Sequence, residues 1–176
     1  MNKAQFKFLL SAISDNESRR NLMFLEFKVL NGFCTITAAN AFLIKRIRID
    51  CDLPDGDYYL ELKQVKKLLK ISTNYDEIAL TLPGVEVDGV TLKWENEDFD
   101  YPNLDNLITG TYGPCNKVLG FNNKYMVDAL KDAPDDVFKM DFKETNSSYS
   151  LEGPCRITFK SEPDWLIILM PIRIQW

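Results

Sequence analysis

The chain reads as an α+β protein in which antiparallel sheets carry helices on one side. Three observations support that fold class. Three stretches place apolar residues at helical spacing, short strand-like runs follow each of them, and turn signals separate those runs. The pattern of one helix and then three or four strands recurs three times, at a spacing of about 50 to 60 residues, without repetition of residue identity.

In the first unit, residues 3–14 predict a helix with Phe6, Leu9, Leu10 and Ile13 as its apolar stripe. Asp15, Asn16, Glu17 and Ser18 break it. Strands are expected over 22–29, 33–37 and 42–49, the first two joined by an Asn31-Gly32 hairpin turn. The third mixes Leu43, Ile47 and Ile49 with Lys45, Arg46 and Arg48, as a half-buried strand does.

The second unit opens after the turn Leu53-Pro54-Asp55-Gly56-Asp57 with a strand over 58–60. A helix is expected over Leu62–Ile71, with Val65, Leu68 and Leu69 on one face and Lys63, Lys66, Lys67 and Lys70 on the other. Strands follow over 77–82 and 85–94, the latter folded back at Asp88-Gly89. Residues 95–114 carry acids, prolines and glycines in a linker-like mixture. The third unit has a helix over 123–133, with Tyr125, Met126, Ala129 and Leu130 inward, and a stop at Pro134-Asp135-Asp136. Its strands are expected over 137–142, 148–152, 156–159 and from Trp165 into an apolar tail. Such a tail needs a sheet or a pocket to hold it, because free ends fray.

The 176 residues suffice for one or two domains with a real core. Apolar runs are far shorter than the roughly 20 residues that span a bilayer, and the first residues lack a signal-peptide core, so a cytoplasmic protein is expected. The four cysteines form no CxxC pair, and there is no histidine. Reduced thiols in or near strands follow, with no metal and no cofactor expected. Without histidine there is no Ser–His–Asp or Cys–His nucleophile. No glycine pattern makes a phosphate loop, and an enzyme is not expected. The net charge of −5 argues against a uniformly basic nucleic-acid binder, so the distribution of charge matters more than its total.

Two motifs then point further. GFNNKYMVDAL at 120–130 resembles the "GFNxxYLLDAL" helix entry in the last domain of the bacterial sliding clamp, the β subunit of the replicative DNA polymerase. ILMPIRI at 168–174 resembles that family's "VVMPMRL" ending. Phe99-Asp100-Tyr101-Pro102 falls where the family has "FPDY", in a different order. Thr37-Ala38-Ala39-Asn40-Ala41-Phe42-Leu43 falls at its "ATDGHRL", where Leu43 is kept while Ala41 and Phe42 replace the histidine and arginine.

The resemblance implies a DNA-clamp-like fold of three helix-plus-antiparallel-sheet units, about one and a half clamp domains. Residues 1–101 then correspond to the family's middle domain, 102–116 to a linker, and 117–176 to the end of its last domain. So short a version suits a phage or other mobile element. The implied function is a non-enzymatic replication accessory protein that surrounds duplex DNA without reading sequence and tethers polymerase or other partners by short peptide motifs. The alternative is a clamp-fold interaction module that binds replication proteins without encircling DNA.

Carried over residue by residue, the DNA-facing candidates are Lys3, Lys7, Lys63, Lys66, Lys67, Lys70, Lys124 and Lys131, on the three helices opposite their apolar stripes. The competing reading is a solvated helix face. The peptide-groove candidates are Phe42, Leu43, Leu169, Met170, Pro171, Ile172 and Arg173, for which the competing reading is a tail that completes the core. Three units per chain leave one without its mate. An exposed sheet edge there favours a homo-oligomer, a two-fold dimer or the tetramer needed to close a twelve-unit ring.

Overall fold

The structure is a computed structural model that describes residues 1–73, 77–95, 100–114, 119–143 and 153–172. Its first helix, α1 (Lys3–Leu10), starts on a capping box. The Asn2 side chain accepts the Gln5 amide at 3.0 Å, and the Gln5 side chain accepts the Asn2 amide at 2.9 Å. The helix ends earlier than its apolar stripe predicts. After Leu10 the backbone tightens into i→i−3 bonds, Ala12 to Leu9 and Ile13 to Leu10, which keep Ile13 buried outside the α-helix.

A 3-10 turn at Glu17–Met23 leads into the meander β1 (Phe24–Leu30), β2 (Phe33–Ala39) and β3 (Leu43–Asp50). Asn31 and Gly32 both take left-handed φ, 52° and 79°, as a two-residue hairpin turn requires. Strand β4 (Gly56–Glu61) then runs into α2 (Leu62–Ile71), whose bounds match the expectation. A separate sheet follows, β5 (Ala79–Leu80), β6 (Gly84–Val87) and β7 (Val90–Lys93), with a second left-handed turn at Asp88 and Gly89. The strand expected over 77–82 shrinks to two residues because it pairs only at Ala79↔Glu86 and Leu80↔Val85.

The segment that reads as a linker contains a four-residue helix, α3 (Asp105–Ile108), and a short strand, β8 (Tyr112–Gly113). Next come α4 (Asn123–Leu130), β9 (Phe138–Lys143), β10 (Cys155–Phe159) and β11 (Trp165–Leu169). Helix α4 stops three residues short of the expected end, because Lys131 is extended and Asp132 adopts a left-handed φ of 56°. The strand expected over 148–152 lies outside the described residues.

Eight strands form one sheet in the order β4-β1-β2-β3-β11-β10-β9-β8. The order is palindromic about the antiparallel β3/β11 pair, where Lys45 stands opposite Ile167 and Leu43 opposite Leu169. An approximate two-fold axis therefore relates the first and third units, with β1 matching β9 and α1 matching α4. Helices α1 and α4 lie on one face of this sheet, and α1 also packs against α2.

The core runs continuously through the three units. Phe8 is fully buried although it lies off the predicted stripe. Its ring meets Trp165 at 4.7 Å and Phe159 at 6.2 Å, so α1 has a second apolar face, directed at the third unit. Phe6 serves the first face, 6.5 Å from Phe27, which in turn sits 5.0 Å from Trp94 of the second unit.

Phe8→Ala is expected to cost about 3–5 kcal/mol, the usual range for emptying a buried phenylalanine site. Urea unfolding checks this, and a loss below about 1 kcal/mol would contradict the packing described.

Candidate nucleic-acid and peptide interface

Seven of the eight candidate lysines fall on α1, α2 and α4, and Lys131 follows directly after α4 in extended conformation. Lys7, Lys63, Lys66, Lys67, Lys70, Lys124 and Lys131 are exposed, and Lys3 is half-buried. Their spacing explains this: each helix turns its apolar stripe to the sheets, and residues three, four and seven apart share the opposite side. Two lysines are already engaged. The Lys3 ammonium donates to the Ser72 carbonyl at the end of α2, and Lys63 pairs with Glu61. Lys7, Lys66, Lys67, Lys70, Lys124 and Lys131 have no ion-pair partner among the described residues.

The groove candidates meet at the end of the β3/β11 pair. The Met170 amide donates to the Phe42 carbonyl at 2.9 Å, and the Ile172 amide donates to the Gly120 carbonyl at 2.8 Å. Leu43 and Leu169 are a cross-strand pair inside the core. Phe42 and Ile172 are 40% and 45% exposed, and Met170 and Pro171 are half-buried between them. Arg173 lies outside the described residues. The apolar tail thus reaches a sheet partner, as its composition predicts, through residue 172.

Phe42 also borders a cavity of about 530 Å³ between the end of α1, the first turns of α2 and the start of α4. Its ring stacks on Tyr125 at 4.3 Å and 17°. Arg19, Lys66 and Lys124 line the cavity with Asp15 and Asp128, so its wall is partly aromatic and partly charged. Of the six groove candidates among the described residues, Phe42 alone reaches this cavity. Tyr125 reads from sequence as a core residue of α4, and its side-chain position depends on where α1 and the Asn40 turn pack, which helical spacing does not encode. Asn40 holds that turn by accepting the Phe42 and Leu43 amides at 2.9 and 3.0 Å.

Beneath the cavity floor lies a group that strand alternation hides. Lys45 is wholly buried, and its ammonium donates to the Ser11 hydroxyl at 2.8 Å and to the Lys131 carbonyl at 2.9 Å. It also sits 4.4 Å from the centre of the Phe8 ring. Ser11 donates in turn to the Asp128 carbonyl at 2.9 Å. One side chain of β3 thereby joins the ends of α1 and α4, where carbonyl oxygens favour a cation. Burial nevertheless lowers the Lys45 pKa from 10.5 to about 7, against the opposing pull of Asp132 and Asp128.

The middle of the sheet's other face is covered by the segment that leads from residue 100 to β8. Tyr101 and Ile108 are buried there, and Ile108 clusters with Ala39, Ile44 and Ile168. Arg46 bonds Asp105 at 3.0 Å and Thr37 at 3.1 Å, and Arg156 lies 4.3 Å over the Tyr112 ring. Its linker-like composition conceals this strap, because the apolar anchors are spread singly among polar residues.

Cys34 and Cys155 are buried in β2 and β10, and burial pushes each thiol up to about 12, which makes them unreactive. Cys51 is a free thiol at the end of β3, and Cys115 lies outside the described residues. Among the described residues no group of three or more His, Cys, Asp or Glu could hold a metal ion, and no helix is long and apolar enough to cross a membrane.

Between about pH 7 and 10.5 the unfolded chain holds a proton on Lys45 that the folded chain has released, so this group makes stability rise with pH across that window. Relative to Lys45→Met, the wild type is expected to gain up to about 1.4 kcal/mol per pH unit above neutrality. Parallel stability–pH curves for the two proteins would contradict the assignment.

No protein-family model matches the chain, and no curated protein matches it. Solved structures do. The DNA polymerase sliding clamp of Bacillus subtilis superimposes with a TM-score of 0.76 at 16% identity, covering 98% of this chain and 62% of that one. The DNA polymerase III subunit beta of Borrelia burgdorferi gives 0.76 at 10% identity, with 99% and 62% covered. The Thermotoga maritima beta subunit gives 0.69 at 14%, with 99% and 65% covered. The chain therefore spans less than two thirds of the length of those clamps. Over 98–99% of its length the chain has the fold of the bacterial DNA polymerase III beta sliding clamps, at 10–16% identity.

Proposed function

We propose that this protein is a non-catalytic, clamp-like accessory factor of DNA replication that works in the cytoplasm. As a homo-oligomer it surrounds duplex DNA, with its helix layer toward the phosphate backbone. The observation that carries this reading is the charge distribution. In a chain of net charge −5, the exposed lysines Lys7, Lys66, Lys67, Lys70, Lys124 and Lys131 share the helix layer of a clamp fold. Flexible, hydrated ammonium groups make weak, salt-dependent phosphate contacts that hold a duplex without fixing its register, which suits sliding. Lys3 and Lys63 contribute to the same field while partly occupied by Ser72 and Glu61.

Partners dock by short peptide motifs at the end of the β3/β11 pair. Phe42, Met170, Pro171 and Ile172 form the accessible rim, Leu43 and Leu169 form the floor, and Arg173 follows next in the chain. The 530 Å³ cavity beside Phe42 extends this surface toward Tyr125. An apolar rim containing Met and Pro suits adaptable peptide binding. That same cavity also favours the second reading, a clamp-fold interaction module that engages replication proteins without encircling DNA.

Retention on closed circular duplex DNA, compared with the same DNA after linearisation, separates the two. The proposal expects protein held on circles and lost on linearisation, with the triple variant Lys66→Glu, Lys67→Glu, Lys70→Glu losing at least about tenfold in retention and most of its salt dependence. Binding indifferent to DNA, alongside intact capture of polymerase peptides, would overturn encirclement in favour of the interaction module.

A further inference from the structure

The cavity beside Phe42 has a chemistry that a purely apolar peptide would not use. Leu10, Ile13 and Leu62 line it with apolar surface, and the stacked rings of Phe42 and Tyr125 form one wall. Three cations from three separate elements converge on it: Arg19 from the 3-10 turn, Lys66 from α2 and Lys124 from α4. All three are exposed, and none has an ion-pair partner among the described residues. Two acids share the cavity. Asp128 already interacts electrostatically with the buried Lys45 beneath the floor, which leaves Asp15 as the acid that opposes three cations. The loop around Asp15 satisfies its own polar groups. Ser14 accepts the Asn16 amide at 3.2 Å, and Asn16 accepts the Ser18 amide at 3.0 Å.

We infer, resting on the docking reading above, that the peptide received here is acidic: it carries an Asp or Glu beside the apolar residue that packs on Phe42. The rim of Phe42, Met170, Pro171 and Ile172 is continuous with the cavity through Phe42, so a peptide seated on the rim continues past that ring toward the cations. A carboxylate there accepts charge-assisted N–H···O bonds, which are roughly twice as strong as neutral ones. Three cations against two acids also give this cavity the opposite sign to a chain of net charge −5. Such complementarity selects acidic partners and disfavours basic ones. Duplex DNA uses the same site less well. Its phosphates can meet Lys66 and Lys124, but its backbone has no apolar group to set against Leu10, Ile13 and Leu62.

Fluorescence anisotropy of the full chain with labelled, end-capped hexapeptides tests it, in matched sets that place Asp, Asn or Lys beside a single phenylalanine. The Asp set is expected to bind at least about tenfold more tightly than the Asn set, with the Lys set weakest. Arg19→Gln is expected to cut the preference for Asp over Asn to under about threefold, and Arg19→Glu to shift it toward Lys. Because Arg19 is exposed, circular dichroism of both variants stays near wild type. Equal binding of the Asp and Asn sets to the wild type would overturn the acidic assignment while leaving the docking surface in place. No binding by any set would overturn the docking reading and this inference with it. An Arg19→Gln protein that keeps its peptide preference but loses retention on circular duplex DNA would assign the cations to phosphate, and would overturn the inference as well.

Discussion

Everything else in this molecule depends on the antiparallel pairing of β3 with β11. Five residue pairs, from Leu43↔Leu169 to Trp165↔Ile47, join two four-stranded halves into one sheet about an approximate two-fold axis. A one-residue slip there would reverse the face of every side chain in the third unit. The register is held by burial on both sides of the sheet. Phe8 and Lys45 act on the helix side, and Ile44, Ile168 and Ile108 act on the strap side. The Phe42 turn, the cavity and the Met170 segment all meet where this pair ends, so the site inherits its geometry from the sheet junction.

The parts of the fold legible in the sequence are those set by local chemistry. Asn31-Gly32 and Asp88-Gly89 announce their turns because few residues accept left-handed φ, and α2 is bounded as its apolar spacing predicts. The unread features are long-range. Phe8 lies off the stripe because α1 sits over a junction and buries two faces. Lys45 occupies a core position because two helix ends supply its acceptors, across separations of 34 and 86 residues. The strap over residues 100–113 reads as linker because its anchors have no period. The clamp resemblance rested on two motifs, 120–130 and 168–174, and they turn out to be neighbours, bridged at Gly120↔Ile172.

At the site, the lysine spacing was legible because helix faces are periodic. Which of those lysines stay free was not, since Ser72 and Glu61 engage Lys3 and Lys63 through contacts that spacing does not encode. Sequence also placed Phe42 beside the tail, but not its stacking on Tyr125, which depends on how α4 docks. The buried Lys45 adds a constraint of its own. An ammonium with few acceptors and no carboxylate in contact is a weak source of stability, and its value lies in fixing where α1 and α4 end relative to the sheet.

The central claim is that the β3/β11 junction makes the first and third units one cooperative body. Native-state hydrogen exchange resolved by residue tests it most directly. If the claim holds, the amides of β3 and β11 exchange with one common free energy, equal to that of global unfolding, and Phe8→Ala lowers both together. Exchange of β9 to β11 at a much lower free energy than β1 to β3 would mean that the third unit opens alone, and would contradict the account.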